Sequence, residues 1–270
     1  MLRSLSKQEA SLILELEWRG QRIVSRAEVI QAMNGNTRAA DDLIRSLRRK
    51  NWLERIGAGT YMLIPAERGP EGIPDMNTLV LGSLVTSPYY YSYATAAAFH
   101  NLSAQMRSEI YVACRRKLRP RLIRAFMFRF VYLKQEKFFG YAETNAFGAE
   151  VMMAEPEKAI VDSIDKPGYA GGIGEVAGAI ARGSSRCDWD KLAAYALKMN
   201  SVALVQRLGY LMDFLEVKGP SGTRERLKGR IKKHSRSYLG STRIWGQKGI
   251  FDSEWQVVVN VPREEIVAEI

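Results

Sequence analysis

The first 50 residues alternate between apolar positions at helical spacing and short polar breaks, which predicts three helices. Two of these helices begin with a Ser-x-x-Glu pattern, over Ser6 to Glu9 and over Ser25 to Glu28. In this pattern the serine side chain accepts a hydrogen bond from a free helical N–H, and the glutamate reaches back to the serine N–H. Asn34-Gly35-Asn36 predicts a tight turn, after which Thr37 can cap the third helix.

The third predicted helix is amphipathic and is followed by two short strands. Its apolar stripe comprises Ala40, Leu43, Ile44 and Leu47, and arginine and aspartate side chains occupy the rest of its circumference. Residues 52–56 and 60–64 have strand-forming composition and are joined by Gly57-Ala58-Gly59, which predicts a β-hairpin. Three helices followed by such a hairpin are typical of a winged helix-turn-helix, which we predict over residues 1–65.

The remainder of the chain predicts a second, larger domain. Residues 66–76 are rich in proline and glycine and are predicted to be a linker. Over residues 77–270 the pattern predicts strands at 109–113, 126–133, 146–153 and 257–261, and helices at 93–100, 155–165, 174–181, 190–199 and 201–215. The predicted fold class is therefore α+β, with an N-terminal winged helix-turn-helix domain followed by a larger mixed α+β domain.

The charge is unusual and unevenly distributed. Forty Lys and Arg against 29 Asp and Glu leave a net charge of +11. Counted by segment, the net charge is +4 over residues 1–65, +8 over 101–140 and +9 over 218–248. Segregated positive charge is typical of contact with a phosphate backbone. A solvated basic face and a surface for an acidic protein remain alternatives.

These charges and the predicted third helix define a candidate DNA-binding surface. Arg38, Arg45 and Arg49 follow one face of that helix, and we predict that they contact bases, because bidentate arginine to guanine is the commonest specific contact. Asn36 and Thr37 lie at the start of the helix, where short polar side chains and free N–H groups suit a phosphate. The other predicted contacts are Arg48, Arg55, Arg115, Arg116, Lys117, Lys228, Arg230, Lys232 and Lys233.

Common catalytic and cofactor motifs are missing from the sequence, which contains no GxxxxGK[ST], HExxH or GxSxG. Residues 172–178 miss the dinucleotide-binding spacing by one residue, and they predict a flexible loop leading into a helix. Glu155, Glu157, Asp162 and Asp165 could bind a metal, but they interleave with apolar residues and predict an amphipathic helix with a solvated acidic face. We therefore predict no catalytic residue, no metal and no cofactor.

Cysteine usage and the N-terminal segment bear on the cellular compartment. Cys114 and Cys187 have no metal-binding spacing and are predicted to be reduced, partly buried thiols. The first 20 residues lack the apolar core of a signal peptide, and no stretch approaches the roughly 18 apolar residues of a membrane span. A cytoplasmic location is the resulting expectation.

Several short segments follow one another in a characteristic order along the chain. They are the predicted winged helix, residues 90–102, 154–162 and 206–211, and Trp255 and Asn260 near the end. In order and spacing they resemble the AbiEi-type antitoxins of type IV toxin–antitoxin systems, which act in abortive infection and phage defence, over nearly the whole chain. The resemblance implies a transcriptional repressor that binds inverted repeats upstream of its own operon through residues 37–50. It also implies a C-terminal domain that opposes a nucleotidyltransferase-like toxin without a stable complex. The basic stretch at 218–248 departs from the pattern.

Three alternatives remain open at the level of sequence. The winged helix could bind protein and not DNA. The chain could be a ligand-sensing repressor, which would need a sizeable apolar pocket in the C-terminal domain. That domain could also act enzymatically on nucleic acid or a nucleotide, for which the acidic residues between 155 and 165 would have to cluster in a cleft. A filled helical core beside them would count against such an enzyme.

Overall fold

A computed structural model describes residues 3–72, 77–103, 105, 108–123, 125–146, 149–232 and 234–270. Over these residues the fold is mixed α+β, with helices and several sheets, as the sequence predicts. The chain divides into two compact units, residues 1–85 with 121–127 and residues 86–120 with 128–270. The predicted linker at 66–76 contains a short 3₁₀ turn at Ala66–Arg68, and its residues 73–76 lie outside the described residues.

The first two helices begin where the capping patterns predict. The elements are α1 (Lys7–Trp18), β1 (Ile23–Ser25), α2 (Arg26–Ala32), α3 (Thr37–Arg49), β2 (Leu53–Gly57), β3 (Thr60–Leu63) and α4 (Val80–Val85). Both Ser-x-x-Glu capping boxes form, at α1 and at α2. The predicted cap of α3 is wrong by one residue. Asn36 is the cap, because its extended backbone lets its side-chain oxygen accept a hydrogen bond from the Ala39 N–H at 3.0 Å, and Thr37 is already helical.

A small sheet completes this unit, with the strand order β1-β3-β2 and antiparallel pairing throughout. The predicted hairpin is β2 and β3, and the register shift between Arg55 and Gly57 marks an irregularity just before its turn. The sequence did not predict β1, because three residues are too short to show an alternating pattern. The core between the helices and this sheet contains Leu12, Ile13, Leu16, Val29, Ala40, Leu43, Ile44, Leu47, Trp52 and Tyr61.

Within the described residues, the remaining strands form two sheets. They are β4 (Tyr89–Tyr91), β5 (Glu109–Cys114), β6 (Arg121–Ile123), β7 (Phe126–Tyr132), β8 (Tyr141–Ala146), β9 (Ala149–Ala154), β10 (Ser237–Tyr238), β11 (Ile250–Asp252) and β12 (Val257–Val259). Their orders are β6-β7-β5-β4-β9-β8 and β10-β12-β11. The single extended segment predicted at 146–153 is wrong. Two antiparallel strands, β8 and β9, meet there with Ala146 opposite Ala149, and residues 147–148 lie outside the described residues.

The helices of the second unit surround its main core. They are α5 (Tyr93–Phe99), α6 (Pro156–Asp165), α7 (Pro167–Ala170), α8 (Ile173–Gly183), α9 (Trp189–Lys198), α10 (Val202–Phe214), α11 (Thr223–Lys228), α12 (Thr242–Trp245) and α13 (Arg263–Val267). Side chains from α6, α8, α9, α10 and β12 fill this core. Within the described residues, no helix combines the length and hydrophobicity that a membrane crossing requires.

The glycines at 172–178 lie where the sequence predicts a loop leading into a helix. Gly172, with φ of 118°, immediately precedes α8, and Gly174 and Gly178 lie inside that helix. A Cβ atom on Gly174 would lie 2.4 Å from the carbonyl oxygen of Glu265, and one on Gly178 would lie 2.3 Å from that of Glu269. The glycine spacing therefore serves the close approach of the C-terminal segment to α8.

Candidate nucleic-acid interface

The outward face of α3 carries the arginines that the sequence predicts as base contacts. Ala40, Leu43, Ile44 and Leu47 are buried on the opposite side of the helix. At 100° per residue, Arg38, Arg45 and Arg49 lie within about 40° of one another around the helix axis, and all three are exposed. The structure therefore places these arginines on one solvent-facing stripe.

Two aspartates of α3 contribute to the electrostatics of this stripe. Asp42 pairs with Arg45 at 3.0 Å, but the two side chains are 58% and 75% exposed. An ion pair this exposed contributes little to stability, so Arg45 is free to exchange Asp42 for another partner. Asp41 accepts two hydrogen bonds from Arg26 of α2, at 2.7 and 2.8 Å, and the Arg26 guanidinium holds the pKa of Asp41 below its usual range.

Residues of α3 and of the hairpin line an open groove in the first unit. It has a volume of about 480 Å³, and its lining includes Arg45, Arg48 and Arg49 from α3 and Arg55 from β2. In the part of the chain that the structure describes, no carboxylate lies within 4.0 Å of Arg48, Arg49 or Arg55. Four cationic side chains thus line one concave surface, together with the carboxylate-bearing Glu54 of β2. Among the described residues, Asp42 is the acid that pairs with one of these four arginines, Arg45.

The position of α3 is fixed at its C-terminal end by a buried carboxylate. Glu9 of the α1 capping box accepts hydrogen bonds from the Ser6 N–H at 2.6 Å and from the Lys50 ammonium at 2.7 Å. Burial alone would raise the pKa of Glu9, but the hydrogen bonds from Lys50, Ser46 and Ser6 outweigh it and lower the pKa to about 2. This ion pair ties the start of α1 to the end of α3.

The predicted contacts at 115–117 lie in the second unit, and they differ in exposure and in whether they already have a hydrogen-bond partner. Arg115 is half-buried and donates to the backbone carbonyl of Leu133, so part of its hydrogen-bonding capacity is used within the fold. Arg116 is exposed, and Lys117 is exposed with its ammonium 5.8 Å from the ring centroid of Tyr132. Arg116 and Lys117 are therefore the residues of this run that are available to an outside anion.

The basic stretch at 218–248 is partly neutralised by acids elsewhere in the sequence. Arg224 pairs with Asp213 at 2.5 Å and Glu254 at 3.0 Å, and Lys228 also pairs with Glu254. Arg226 pairs with Asp190 at 2.7 Å. Because these acids lie outside residues 218–248, the segment charge of +9 overstates the free positive charge. Counting charges along the sequence could not reveal these ion pairs, because their partners are far apart in the chain.

The other predicted DNA contacts between residues 218 and 248 are Arg230, Lys232 and Lys233, and no acid pairs with the first two among the described residues. Arg230 donates to the Asn200 side chain, and its own side chain is exposed. Lys232 is exposed, and no carboxylate of the described residues pairs with it. Lys233 lies outside the described residues.

The prediction that α6 has a solvated acidic face is wrong. Glu157 and Asp162 are 5% and 0% exposed. Asp162 pairs with the equally buried Lys158 one turn earlier, and it accepts hydrogen bonds from Tyr90 at 3.2 Å and Ser92 at 2.7 Å. The i, i+4 spacing of Lys158 and Asp162 was visible in the sequence, but nothing there showed that both would be buried.

The other acidic residues near α6 also form hydrogen bonds or ion pairs within the chain. Glu155 accepts hydrogen bonds from Tyr195 and Lys191, and Asp165 pairs with Lys137 at 3.0 Å. Among the described residues, no group of three or more His, Cys, Asp or Glu side chains is placed to hold a metal ion. A filled helical core lies beside these carboxylates.

In the part of the chain that the structure describes, the histidines and cysteines do not cluster with one another. His100 lies 2.7 Å from the Ala154 carbonyl oxygen, and burial lowers its pKa. His234 is exposed in the basic stretch. Both cysteines are free thiols whose pKa values are raised by burial, that of Cys187 to about 11. A thiol with a raised pKa is a poor nucleophile at neutral pH.

Comparisons with known proteins give a structural likeness but no match of sequence. No family model and no curated protein matches the chain. Among solved structures, the chain is similar to the crystal structure of the RV2827C protein from Mycobacterium tuberculosis, with a TM-score of 0.60 and 17% sequence identity. The match covers 95% of this chain and 92% of that chain. At this identity the likeness bears on the fold alone, and it supports a mixed α+β architecture extending over nearly the whole chain.

Proposed function

We propose that the chain is a sequence-specific double-stranded DNA-binding protein whose first unit is a winged helix-turn-helix. The observation that carries the proposal is the groove in which Arg45, Arg48 and Arg49 of α3 meet Arg55 of the hairpin. The element order α1-β1-α2-α3-β2-β3 is the one that such domains use to present a recognition helix and a wing. In this proposal α3 enters the major groove, and the hairpin lies along the neighbouring backbone.

The exposed stripe of α3 supplies the means of reading sequence. Arg38, Arg45 and Arg49 would reach base edges, and bidentate contact with guanine is worth about 1–3 kcal/mol of discrimination against the wrong base. Thr37 and the first N–H groups of α3 would contact a phosphate, together with Arg48 and Arg55. Asn36 has a smaller part, because its side-chain oxygen already caps the helix.

The second unit adds contacts that carry no sequence information. Arg116, Lys117 and Lys232 are exposed, and each can neutralise a backbone phosphate. Arg115, Lys228 and Arg230 already have partners within the fold, so they would contribute only by exchanging them. We propose the first three as the stronger phosphate contacts of this unit.

The resemblance to AbiEi-type antitoxins extends the proposal to a biological role. On that basis the DNA sites are inverted repeats upstream of the chain's own gene, where binding represses transcription. The second unit would then counteract a nucleotidyltransferase-like toxin encoded next to it. Growth of cells that express such a neighbouring gene, with and without this chain, tests the antitoxin role separately from DNA binding.

Selection from a pool of random duplexes tests the DNA-binding proposal without knowledge of the operator. The full chain is expected to enrich one short motif over repeated rounds of binding and amplification. A variant carrying both Arg45→Ala and Arg49→Ala is expected to enrich none, whereas Arg22→Ala, which removes an exposed arginine paired with Glu67, should enrich the same motif.

Two outcomes of this selection contradict the proposal. If the wild-type chain binds duplexes but enriches no motif, the arginine groove binds nucleic acid without reading it. If the chain retains no duplex at low salt, it does not bind DNA, and the alternative of a protein-binding first unit is the one to test next.

A further inference from the structure

The outward face of α1 exposes two large apolar side chains. Leu14 is 62% exposed and Trp18 is 85% exposed, and the two lie one helical turn apart. The core-facing side of the same helix is buried through Leu12, Ile13 and Leu16. A helix with one apolar side in the core and a second apolar patch in solvent has the pattern expected of an interaction surface.

The charges on this outward face have opposite signs at the two ends of the helix. At 100° per residue, Lys7, Ala10, Leu14, Glu17 and Trp18 fall on one side of α1, within about 100° of arc. Lys7 is exposed, and no carboxylate of the described residues lies within 4.0 Å of it. Lys7 and Glu17 are separated by about 15 Å along the axis.

We propose that this face binds the same face of a second copy of the chain, with the two α1 helices antiparallel about a two-fold axis. In that arrangement Lys7 of each copy lies opposite Glu17 of the other, and Leu14 packs over the small Ala10. Trp18 then lies beside the first turn of the second helix, where Lys7 can also approach its ring. A parallel arrangement would place like charges together, so the charge pattern favours the antiparallel one.

The size of the contact sets the expected strength of the pairing. A 12-residue helix is about 18 Å long, so one helix pair buries less than the roughly 800 Å² per partner of a standard interface. The dimer should therefore be weak and concentration-dependent.

The pairing is compatible with free recognition helices. The proposed face of α1 and the arginine stripe of α3 both point away from the core that the two helices share. Two copies related by a two-fold axis would match an inverted repeat if the proposed DNA binding also holds. The pairing itself does not depend on DNA.

Sedimentation equilibrium of the full chain without DNA tests this pairing. Between about 1 and 200 μM, the average mass should rise from 30.5 kDa towards twice that value. Trp18→Ser should weaken association at least tenfold. Ile250→Ser, which removes a side chain exposed to 81% on β11, should leave association unchanged. Thermal unfolding checks that each variant is folded. This check matters most for a change at Glu17, because Glu17 also accepts a hydrogen bond from the Ala66 N–H at 3.0 Å.

Charge reversal tests the antiparallel geometry. Lys7→Glu and Glu17→Lys should each weaken association about tenfold, and the double variant should restore it to within about threefold of the wild type. A chain that stays monomeric at 200 μM overturns the proposal. So does a dimer that Trp18→Ser leaves intact or Ile250→Ser abolishes, and so does a double reversal that fails to restore association.

Discussion

Gly209 shows at the scale of a single residue how closely the second unit is packed. It lies within α10, where alanine would ordinarily be the better helix former. A Cβ atom at this position would lie 2.1 Å from the indole ring of Trp255, which is itself 1% exposed. The contact leaves no room for a methyl group, because neither the helix backbone nor the buried ring can shift cheaply.

We therefore expect Gly209→Ala to lower the free energy of unfolding by about 3 kcal/mol, despite a helix-propensity gain of about 1 kcal/mol. Urea unfolding measures the difference. Gly229→Ala is the matched control, because its new Cβ atom would meet its nearest neighbour at 3.5 Å and should be tolerated. A Gly209→Ala variant as stable as the wild type would show that the ring can move away.

The positions of residues were predictable from the sequence where they depend on local spacing. Arg38, Arg45 and Arg49 share a face because of helical periodicity, and the structure places them so. The bidentate pair of Arg26 with Asp41 joins two helices and left no periodic signal. The sequence did not show the burial of Asp162 either, because the Tyr90 and Ser92 hydroxyls that donate hydrogen bonds to it come from a distant segment.

At the scale of elements, the ion pair of Glu9 with Lys50 makes the contact between α1 and α3 sensitive to pH. The pKa of Glu9 falls from 4.5 to about 2 on folding, so the native state favours the ionised form. The resulting stabilisation is fully present above pH 4.5 and is lost as the pH falls towards 2. A shift of this size corresponds to roughly 3 kcal/mol.

We expect Glu9→Gln to lower the free energy of opening of the first unit by about 2–3 kcal/mol at pH 7 and by little at pH 2. Hydrogen exchange of the α1 and α3 amides measures that free energy locally. Glu15→Gln, which changes an exposed carboxylate of α1 that pairs with Arg19, is the control. An equal effect of Glu9→Gln at both pH values would contradict the assigned role of its charge.

Element boundaries were predictable where a capping pattern marks them. Ser6 and Ser25 begin their helices as predicted because the complete capping box is contained in four adjacent residues. The strand β1 was not predictable, since three residues are stabilised there by pairing with β3, which lies elsewhere in the chain. The strands β8 and β9 pair with each other, and the pattern of residues 146–153 did not mark the break between them.

At the scale of the whole molecule, the net charge of +11 already subtracts every acid, but the charge of +9 counted over residues 218–248 overstates the positive charge that a polyanion would meet there. Several cations of the 218–248 stretch pair with Asp190, Asp213 and Glu254. The total charge could be counted from the sequence, but its free fraction depends on which acids the fold brings near. Exposed, unpaired residues such as Lys232 are the ones expected to release counterions from DNA.

We expect the joint neutralisation of Lys228, Lys232 and Lys233 to glutamine to weaken binding to all duplexes alike. It should reduce the slope of log K against log salt by between about 1 and 3, since each phosphate contact contributes about 0.9. Binding isotherms at several salt concentrations measure the slope. Arg224→Gln is the control, because Asp213 and Glu254 already neutralise this arginine. An unchanged slope in the triple variant would assign this surface to another partner.

The most direct test of the central claim is the equilibrium binding of Arg45→Ala to the duplex enriched by selection and to a random duplex of equal length. If α3 reads bases through Arg45, the variant loses about 1–3 kcal/mol on the enriched duplex and much less on the random one. An equal loss on both duplexes would contradict base contact and leave Arg45 as a phosphate contact only.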